Sequence, residues 1–219
     1  MHVGILGGTG PAGSGLAARL ASVGIEVTIG SRSKDRALET CEKISTRWPD
    51  RDLPLQAGDN GQAASAEVVV VATPWDSAAP TAGSVRELLA GKVVISMANA
   101  LAKVGNEFQP LVPPRGSVAA SVAALVPESL VAAAFHHLPA KELADLDHPI
   151  ESDVLICSDH PSAYECTAEL VRLIPGLRPL DSGTLSNAAP IEAFAAVLLQ
   201  LNMKYKTRAA VRLTGIDVP

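Results

Sequence analysis

Aromatic side chains are scarce in this chain of 219 residues: Phe, Trp and Tyr make up 3% of it, although 47% of the residues are hydrophobic. A core with so few rings is filled by Ala, Val, Leu and Ile, as the two-sided burial of a parallel sheet favours. Cysteine is scarce too. Cys41, Cys157 and Cys166 are odd in number and widely spaced, so neither a disulfide framework nor a metal-ligand set is expected. No apolar run reaches the roughly 18 residues that cross a bilayer, so no membrane partner is expected. Positive charge is not in excess. The net charge is −5 and no basic stripe appears, which argues against nucleic acid as a partner. A glycine-rich segment begins almost at once and leaves no room for a signal peptide, so a reduced, cytoplasmic protein is expected. Several catalytic sets are also missing. Tyr164 is followed four residues later by Ala168 and Tyr205 by Ala209, which excludes the Tyr-x-x-x-Lys acid–base pair of short-chain dehydrogenases. Neither a Ser-His-Asp set nor a phosphate-binding P-loop signature occurs.

What is present begins at Val3. A short apolar strand runs into Gly8-Thr9-Gly10-Pro11-Ala12-Gly13, and a helical pattern follows from Ser14 until Gly24 closes it. Strand, glycine turn and helix in this order form the pyrophosphate cradle of a dinucleotide-binding unit. In that reading Gly8 permits the tight turn, Gly10 lets the backbone approach the phosphates, and Gly13 lets the helix pack on the strand. The helix N-terminus offers unpaired N–H groups to an anion. A second strand, Glu26 to Gly30, leads to Ser31-Arg32-Ser33-Lys34. NAD sites usually carry Asp or Glu at this point to accept from the ribose 2′-OH. Here Ser31 can donate to a 2′-phosphate, Arg32 can pair with it through two N–H groups, and Lys34 adds charge, so NADP(H) is the expected cofactor. The same residues also suit the N-cap and first turn of the next helix.

Strand and helix alternate further along. The apolar run Glu67 to Thr73 reads as a central parallel strand, and Gly91 to Met97 as the next. Residues 98 to 114, punctuated by asparagine and proline, read as a loop. Ser117 to Leu125 reads as a helix and Val131 to Phe135 as a strand. Two more strands, Asp153 to Cys157 and Leu177 to Leu180, flank a helix from Ser162 to Leu173. Ala188 to Leu213 reads as one long helix. The fold class expected is α/β, a Rossmann-type doubly wound parallel sheet with a smaller C-terminal α/β portion packed on it. Residues 1–135 would form the NADP-binding domain, and residues 136–219 the smaller part.

Ligands of an open parallel sheet lie outside the carboxyl ends of the strands. Those ends bear Thr73-Pro74-Trp75, Met97-Ala98-Asn99 and His136-His137-Leu138. His136 is the one candidate catalytic residue, although a paired His at a strand end is more often a loop histidine. Trp75 either walls the site or packs under its helix. A nicotinamide site without a proton donor suits direct hydride exchange between two cofactors, since the acceptor supplies its own electron sink. The two rings would be held face to face at about 3–3.5 Å.

Taken together, Gly7-Gly-Thr-Gly-Pro-Ala-Gly13, Gly30-Ser-Arg32, Ala72-Thr-Pro-Trp75, His136-His-Leu-Pro139 and Arg178-Pro-Leu-Asp-Ser-Gly-x-Leu-Ser-Asn-Ala188 resemble the F420-dependent NADP oxidoreductases, with the match running from Val3 to about Gly215. The resemblance implies reversible hydride transfer between C4 of NADP(H) and C5 of the deazaflavin coenzyme F420, a co-substrate. It implies that Thr9, Ser31 and Arg32 hold the adenosine phosphates, while Thr73, Pro74 and Met97 to Asn99 lie by the nicotinamide. It also places His136, His137, Leu138 and Pro139 beside the deazaflavin, with Leu185, Ser186 and Asn187 near it. A homodimer formed through the final helix is implied as well. Two alternatives stay open: an NADPH-dependent imine or ferric reductase on the same scaffold, and a non-catalytic NADP sensor of the NmrA type, which shares the opening glycine pattern.

Overall fold

A computed structural model describes residues 1–216. Its strands in chain order are β1 (His2–Leu6), β2 (Glu26–Ser31), β3 (Leu55–Asp59), β4 (Val68–Val71), β5 (Val93–Ser96), β6 (Leu101–Val104), β7 (Glu107–Pro110), β8 (Leu130–Ala133), β9 (Ser152–Ser158) and β10 (Leu177–Asp181). The helices are α1 (Pro11–Ala21), α2 (Lys34–Arg47), α3 (Asn60–Ala64), α4 (Trp75–Ser84), α5 (Arg86–Leu89), α6 (Val118–Leu125), α7 (Ala140–Leu143), α8 (Pro161–Leu173) and α9 (Ala188–Tyr205). A 3-10 turn spans Leu185–Asn187.

One 8-stranded sheet of order β10-β9-β8-β5-β4-β1-β2-β3 divides the molecule, with the α/β Rossmann-type arrangement expected from the sequence. Alternate side chains along its strands enter different cores. Val68 and Val70 join Val3, Ile5, Leu16, Val27 and Leu170 on the face covered by α1, α2 and α8. Val69 and Val71 join Leu6, Ala78, Val94 and Val122 on the face covered by α3, α4 and α6. Both faces are dry, which is why β4 is four consecutive valines and not an alternating strand.

The C-terminal strands continue this sheet. β9 pairs with β8 at Ala132↔Ser158 and Ala133↔Cys157, but runs antiparallel to it. β10 runs parallel to β9. Both therefore end at the edge of the sheet where β8 begins.

Two sequence expectations are corrected. Residues 98–114 are not a plain loop: β6 and β7 form a hairpin in which Val104 faces Glu107 across Gly105 and Asn106, with Gly105 at φ 60. A two-residue turn with a left-handed glycine is a hairpin signal, but the strands are short and half exposed, and their support comes from packing on α9. The last helix stops at Tyr205 and not near Leu213, because Lys206 adopts the left-handed conformation.

Beyond Lys206 the chain returns along the sheet edge to a buried carboxylate. Asp153, fully buried, accepts from Arg178 Nε at 2.7 Å and Nη2 at 2.9 Å, and from the Leu213 N–H at 2.6 Å. Arg178 also donates to the carbonyls of Leu213 and Ile216. Burial pushes the Asp153 carboxyl up, but the Arg178 guanidinium and the Leu213 N–H more than offset it and hold the group below the usual carboxylate value. A second buried carboxylate, Glu192 of α9, accepts from the N–H groups of Val118 (2.8 Å) and Ala119 (3.1 Å) at the start of α6. Burial pushes that carboxyl up to about 7, against the two N–H bonds that lower it.

Removing one partner of a buried ion pair leaves an uncompensated charge, a cost of roughly 3–5 kcal/mol. Arg178→Ala is therefore expected to lower stability by about that amount in chemical denaturation. Asp153 and Arg178 changed together to Asn and Met should lose clearly less.

Candidate functional site

Gly7, immediately after β1, is the residue that needs glycine for its conformation, with φ at 69. A Cβ there would also lie 2.2 Å from Thr73 Cγ2. The tight turn is thus at Gly7 and not at Gly8, where it was expected. Gly8 is required for packing: a Cβ would lie 3.1 Å from Ile29 Cγ2 and from Ile5 O. Gly13 brings α1 onto the turn, since its Cβ would stand 2.9 Å from Gly8 Cα and 3.0 Å from Ala72 Cβ. Gly10 alone among the three motif glycines borders open space, with its nearest neighbour at 4.0 Å. It is the N-cap of α1, and no side chain caps that helix. The first N–H groups of α1 therefore face outward without a protein acceptor, as an anion site requires.

The turn opens into a cleft of about 380 Å³. Gly7, Thr9 and Gly10 form its floor, Ser31, Arg32, Ser33 and Arg36 one end, and Ala72, Thr73, Pro74, Ser77 and Thr81 a wall. Asn60 lies between, and its Oδ1 accepts from the Gly7 N–H at 3.3 Å, which holds the turn. Among the described residues, the guanidinium groups of Arg32 and Arg36 have no hydrogen-bond or ion-pair partner, and no carboxylate lines the cleft. Asp59 is close in sequence, but its carboxylate is spent as the N-cap of α3, accepting from Gln62 N–H at 2.8 Å. Ser33 caps α2 and also lines the cleft beside Ser31 and Arg32. Lys34 is exposed and lies outside the cleft lining.

A second feature is a row of buried polar atoms without partners. Six of the seven such atoms among the described residues are Thr73 Oγ1 after β4, Ser96 Oγ at the end of β5, Asn99 Oδ1, both ring nitrogens of His136, and His137 Nδ1; the seventh is Gln200 Oε1 on α9. Those six belong to segments at the carboxyl edge of the parallel strands. Native proteins leave few such atoms unsatisfied, so a run of them marks where an outside group is met. The Asn99 amide donates to the His136 carbonyl, which ties two of these segments together. His137 Nε2 accepts from the Leu155 N–H at 3.1 Å, so Nδ1 carries the proton. The two rings stand edge to face, 5.4 Å apart. Phe135, just before them, has φ at 62, a strained conformation for a bulky residue and one that clusters at functional sites. Burial pushes His136 down to about 3 and His137 down to about 4. Both rings are neutral at pH 7.

Comparison with known proteins places this geometry. The family model described as NADP oxidoreductase, coenzyme F420-dependent, matches residues 2–100. The F420-dependent NADP reductase of Methanothermobacter marburgensis is 36% identical over 99% of both chains. That of Methanocaldococcus jannaschii is 35% identical over the full length of both. The chain belongs to the F420-dependent NADP reductase family. A solved structure from Arthrobacter sp. FB24 superposes with a TM-score of 0.82 over 97% of this chain and 98% of its own, and at 24% identity that likeness bears on the fold alone.

Within this F420-dependent NADP reductase family member, the structure does not bring every expected residue to the cleft. Pro11 and Ala12 open α1 beside it. Trp75 is half buried against the core beneath α4, and Met97 and Ala98 are buried in the two cores behind their strand. Leu138 is buried below His137, while Pro139 lines a separate groove beside α7. Leu185, Ser186 and Asn187 follow the carboxyl end of β10, and Leu185 N–H bonds to Asp159 just past β9. Because these two strands run against β8, that turn sits at the sheet edge away from His136. Sequence reading missed Arg36, Asn60 and Ser96. The first was legible as an arginine one helical turn after Arg32, and the last as a hydroxyl in an apolar strand.

Two measurements follow. Arg36→Ala and Arg32→Ala should each weaken NADPH binding by about 1.5–3 kcal/mol, the worth of a charged hydrogen bond, and leave NADH nearly unchanged. Equal losses for both cofactors would remove these residues as phosphate readers. The unfolded chain protonates its histidines near pH 6.5, whereas the fold refuses the His136 proton until about 3. Stability is therefore lost as pH falls below about 6.5, by roughly 1.4 kcal/mol per pH unit for this ring. His136→Gln should lose about 2 kcal/mol less than wild type between pH 7 and pH 5 in urea titrations.

Proposed function

We propose that this protein catalyses reversible hydride transfer between NADP(H) and the deazaflavin coenzyme F420. The observation that carries the cofactor choice is the cleft end that holds two unpartnered guanidiniums, Ser31 and no carboxylate. A 2′-phosphate fits such an end, whereas a bare ribose would leave both arginines unpaired. A pyrophosphate fits the uncapped start of α1 beside Gly10, where a Cβ at position 10 would otherwise stand in open space. The orphaned Thr73 Oγ1 and Asn99 Oδ1 fit the carboxamide end of the same cofactor. The acceptor follows from full-length similarity to proteins named F420-dependent NADP reductases.

When bound, the nicotinamide supplies or takes up the hydride. The residues of the chain do the rest. Arg32, Arg36 and Ser31 anchor the adenosine end, and the glycine turn fixes the phosphates. Thr73, Pro74 and Asn99 orient the ring. His136 and His137 border the deazaflavin as neutral groups, His137 held by Leu155 N–H. Neutral rings present hydrogen-bond atoms without drawing water or a proton into the gap, which suits a step that moves a hydride and no side-chain proton. Leu138 and Pro139 extend that border, while Leu185 to Asn187 act at a distance by seating the start of α9.

The same reading treats residues 1–135 as the nucleotide-binding unit and residues 136–219 as the unit that borders the deazaflavin. It includes a homodimer, because Phe194, Val197, Leu201 and Tyr205 leave an exposed apolar stripe at helical spacing along α9. It places the protein in the cytoplasm, where Cys41, Cys157 and Cys166 remain free thiols.

Purified protein, NADPH and oxidised F420 should lose the 420 nm absorbance of the deazaflavin, and NADP with reduced F420 should restore it. Tight NADPH binding with no bleaching would favour a sensor instead. His136→Ala should raise the KM for F420 more than that for NADPH, and the reverse would move this residue to the other side of the cleft.

A further inference from the structure

Arg19 stands in the last turn of α1, yet it is only 4% exposed. A cation at the end of a helix usually meets the macrodipole from the solvent side. This one crosses to another element. Its Nε donates to the Leu143 carbonyl at 3.3 Å and its Nη1 to the His148 carbonyl at 3.0 Å. Its Nη2 donates to the carbonyls of Glu142, at 2.7 Å, and Asp145. A helix leaves its last carbonyls without intrahelical donors, and Arg19 meets two of those of α7 and two more in the loop beyond. The Glu142 and Asp145 carboxylates are engaged elsewhere, each with Arg208 at 2.9 Å. All three guanidinium nitrogens of Arg19 are thus spent on backbone. Lysine has its donors on a single atom and could not span the same four carbonyls.

The contact is close as well as polar. A Cβ at Gly15, one turn before Arg19, would stand 3.0 Å from Ala140 O and Leu143 Cβ and 3.2 Å from Ala144 N. Leu16 and Leu20 of α1 share a core with Leu138, Leu143 and Leu146. Hydrogen bonds carry the tie back to the histidines. The Leu138 N–H donates to the Phe135 carbonyl at 3.1 Å and closes a turn with His136 and His137 at its centre. The next residue, Pro139, accepts from the N–H groups of Glu142 (3.0 Å) and Leu143 (3.1 Å). Leu143 in turn accepts from Arg19. The opposite end of α1 is the uncapped start beside Gly10 that borders the nucleotide cleft. Pro11 and Arg19 lie about 12 Å apart along one helix axis. A single stiff element therefore meets the cleft with one end and the anchor of the histidine turn with the other.

We propose that Arg19 is a positioning residue for hydride transfer: by tying the end of α7 to α1, it fixes the His136–His137 turn relative to the bound nucleotide. The inference rests on the proposed reaction and adds to it a residue that touches neither cofactor nor substrate. Arg19 acts through α7 and Pro139 on the histidine turn. Small misplacements of reacting groups cost far more in rate than in binding, so the tie belongs to turnover and not to nucleotide affinity.

Three variants test this. Arg19→Lys keeps the charge and loses the span. Gly15→Ala keeps Arg19 and wedges α7 away from α1, while alanine favours the helix itself. Arg51→Ala is the control, since Arg51 holds the same loop at the Leu146 carbonyl (2.9 Å) but from the segment after α2. Expected for Arg19→Lys and Gly15→Ala is a kcat/KM for F420 lowered about tenfold or more, with the Kd for NADPH within twofold of wild type. Arg51→Ala should keep both constants. Should Arg19→Lys not fold, Gly15→Ala decides alone. Unchanged turnover in Gly15→Ala, or an equal loss in Arg51→Ala, overturns the assignment. A second measurement needs no acceptor. NADPH should slow amide hydrogen exchange at Leu143 and Ala144 in the wild type and not in Arg19→Lys; an equal response in both overturns the tie. Wild-type protein that shows this protection but reduces no F420 would overturn the proposed reaction and leave the α1–α7 tie standing.

Discussion

The close approach of Gly7 to Thr73 is the contact on which the site depends. The ends of β1 and β4 come so near that the threonine methyl occupies the space of a missing Cβ. Three consequences follow from this one steric fact. The chain leaves β1 in a left-handed turn and enters α1 with its N–H groups pointing outward. Thr73 is fixed with its methyl inward and its hydroxyl without a partner. Asn60 is needed to satisfy the Gly7 N–H, and so becomes part of the cleft. The glycine turn, the unpartnered Thr73 hydroxyl and the cleft floor are thus parts of a single packing arrangement.

Electrostatics divides the molecule in the same spirit. Two structural charges are matched by opposite ones: Asp153 by Arg178, and Arg208 by Glu142 and Asp145. In the cleft beside the glycine turn the cations Arg32 and Arg36 are left unmatched. The segment after β8 rejects charge, with both histidines kept neutral by burial. Neutral side chains there are compatible with a step that moves a hydride and no side-chain proton.

The first strand, glycine turn and helix were legible because their signals are local. Gly8, Gly10 and Gly13 sit between a strand and a helix that each announce themselves by periodicity, and the absence of an acid after β2 can be read directly. Arg36 was missed because its membership in the cleft depends on where α2 begins, and that is set by the cap at Ser33. The hairpin of β6 and β7 was missed because its strands are too short to carry a pattern and are stabilised by α9, far away in sequence. Leu185 to Asn187 resisted for a different reason. Strand direction is invisible in a list of strands, and the reversal at β9 puts the turn after β10 at the other edge of the sheet.

Composition and local pattern alone determined that this chain builds a two-faced sheet from small apolar residues and a glycine turn with a helix behind it, since backbone sterics and burial act over a few residues. Tertiary structure alone decided which polar atoms are left without partners, where the last helix stops and which segments line the cleft. Those outcomes depend on what other segments occupy or vacate the space around a group, and neighbours brought together across a hundred residues leave no mark on the local sequence of either.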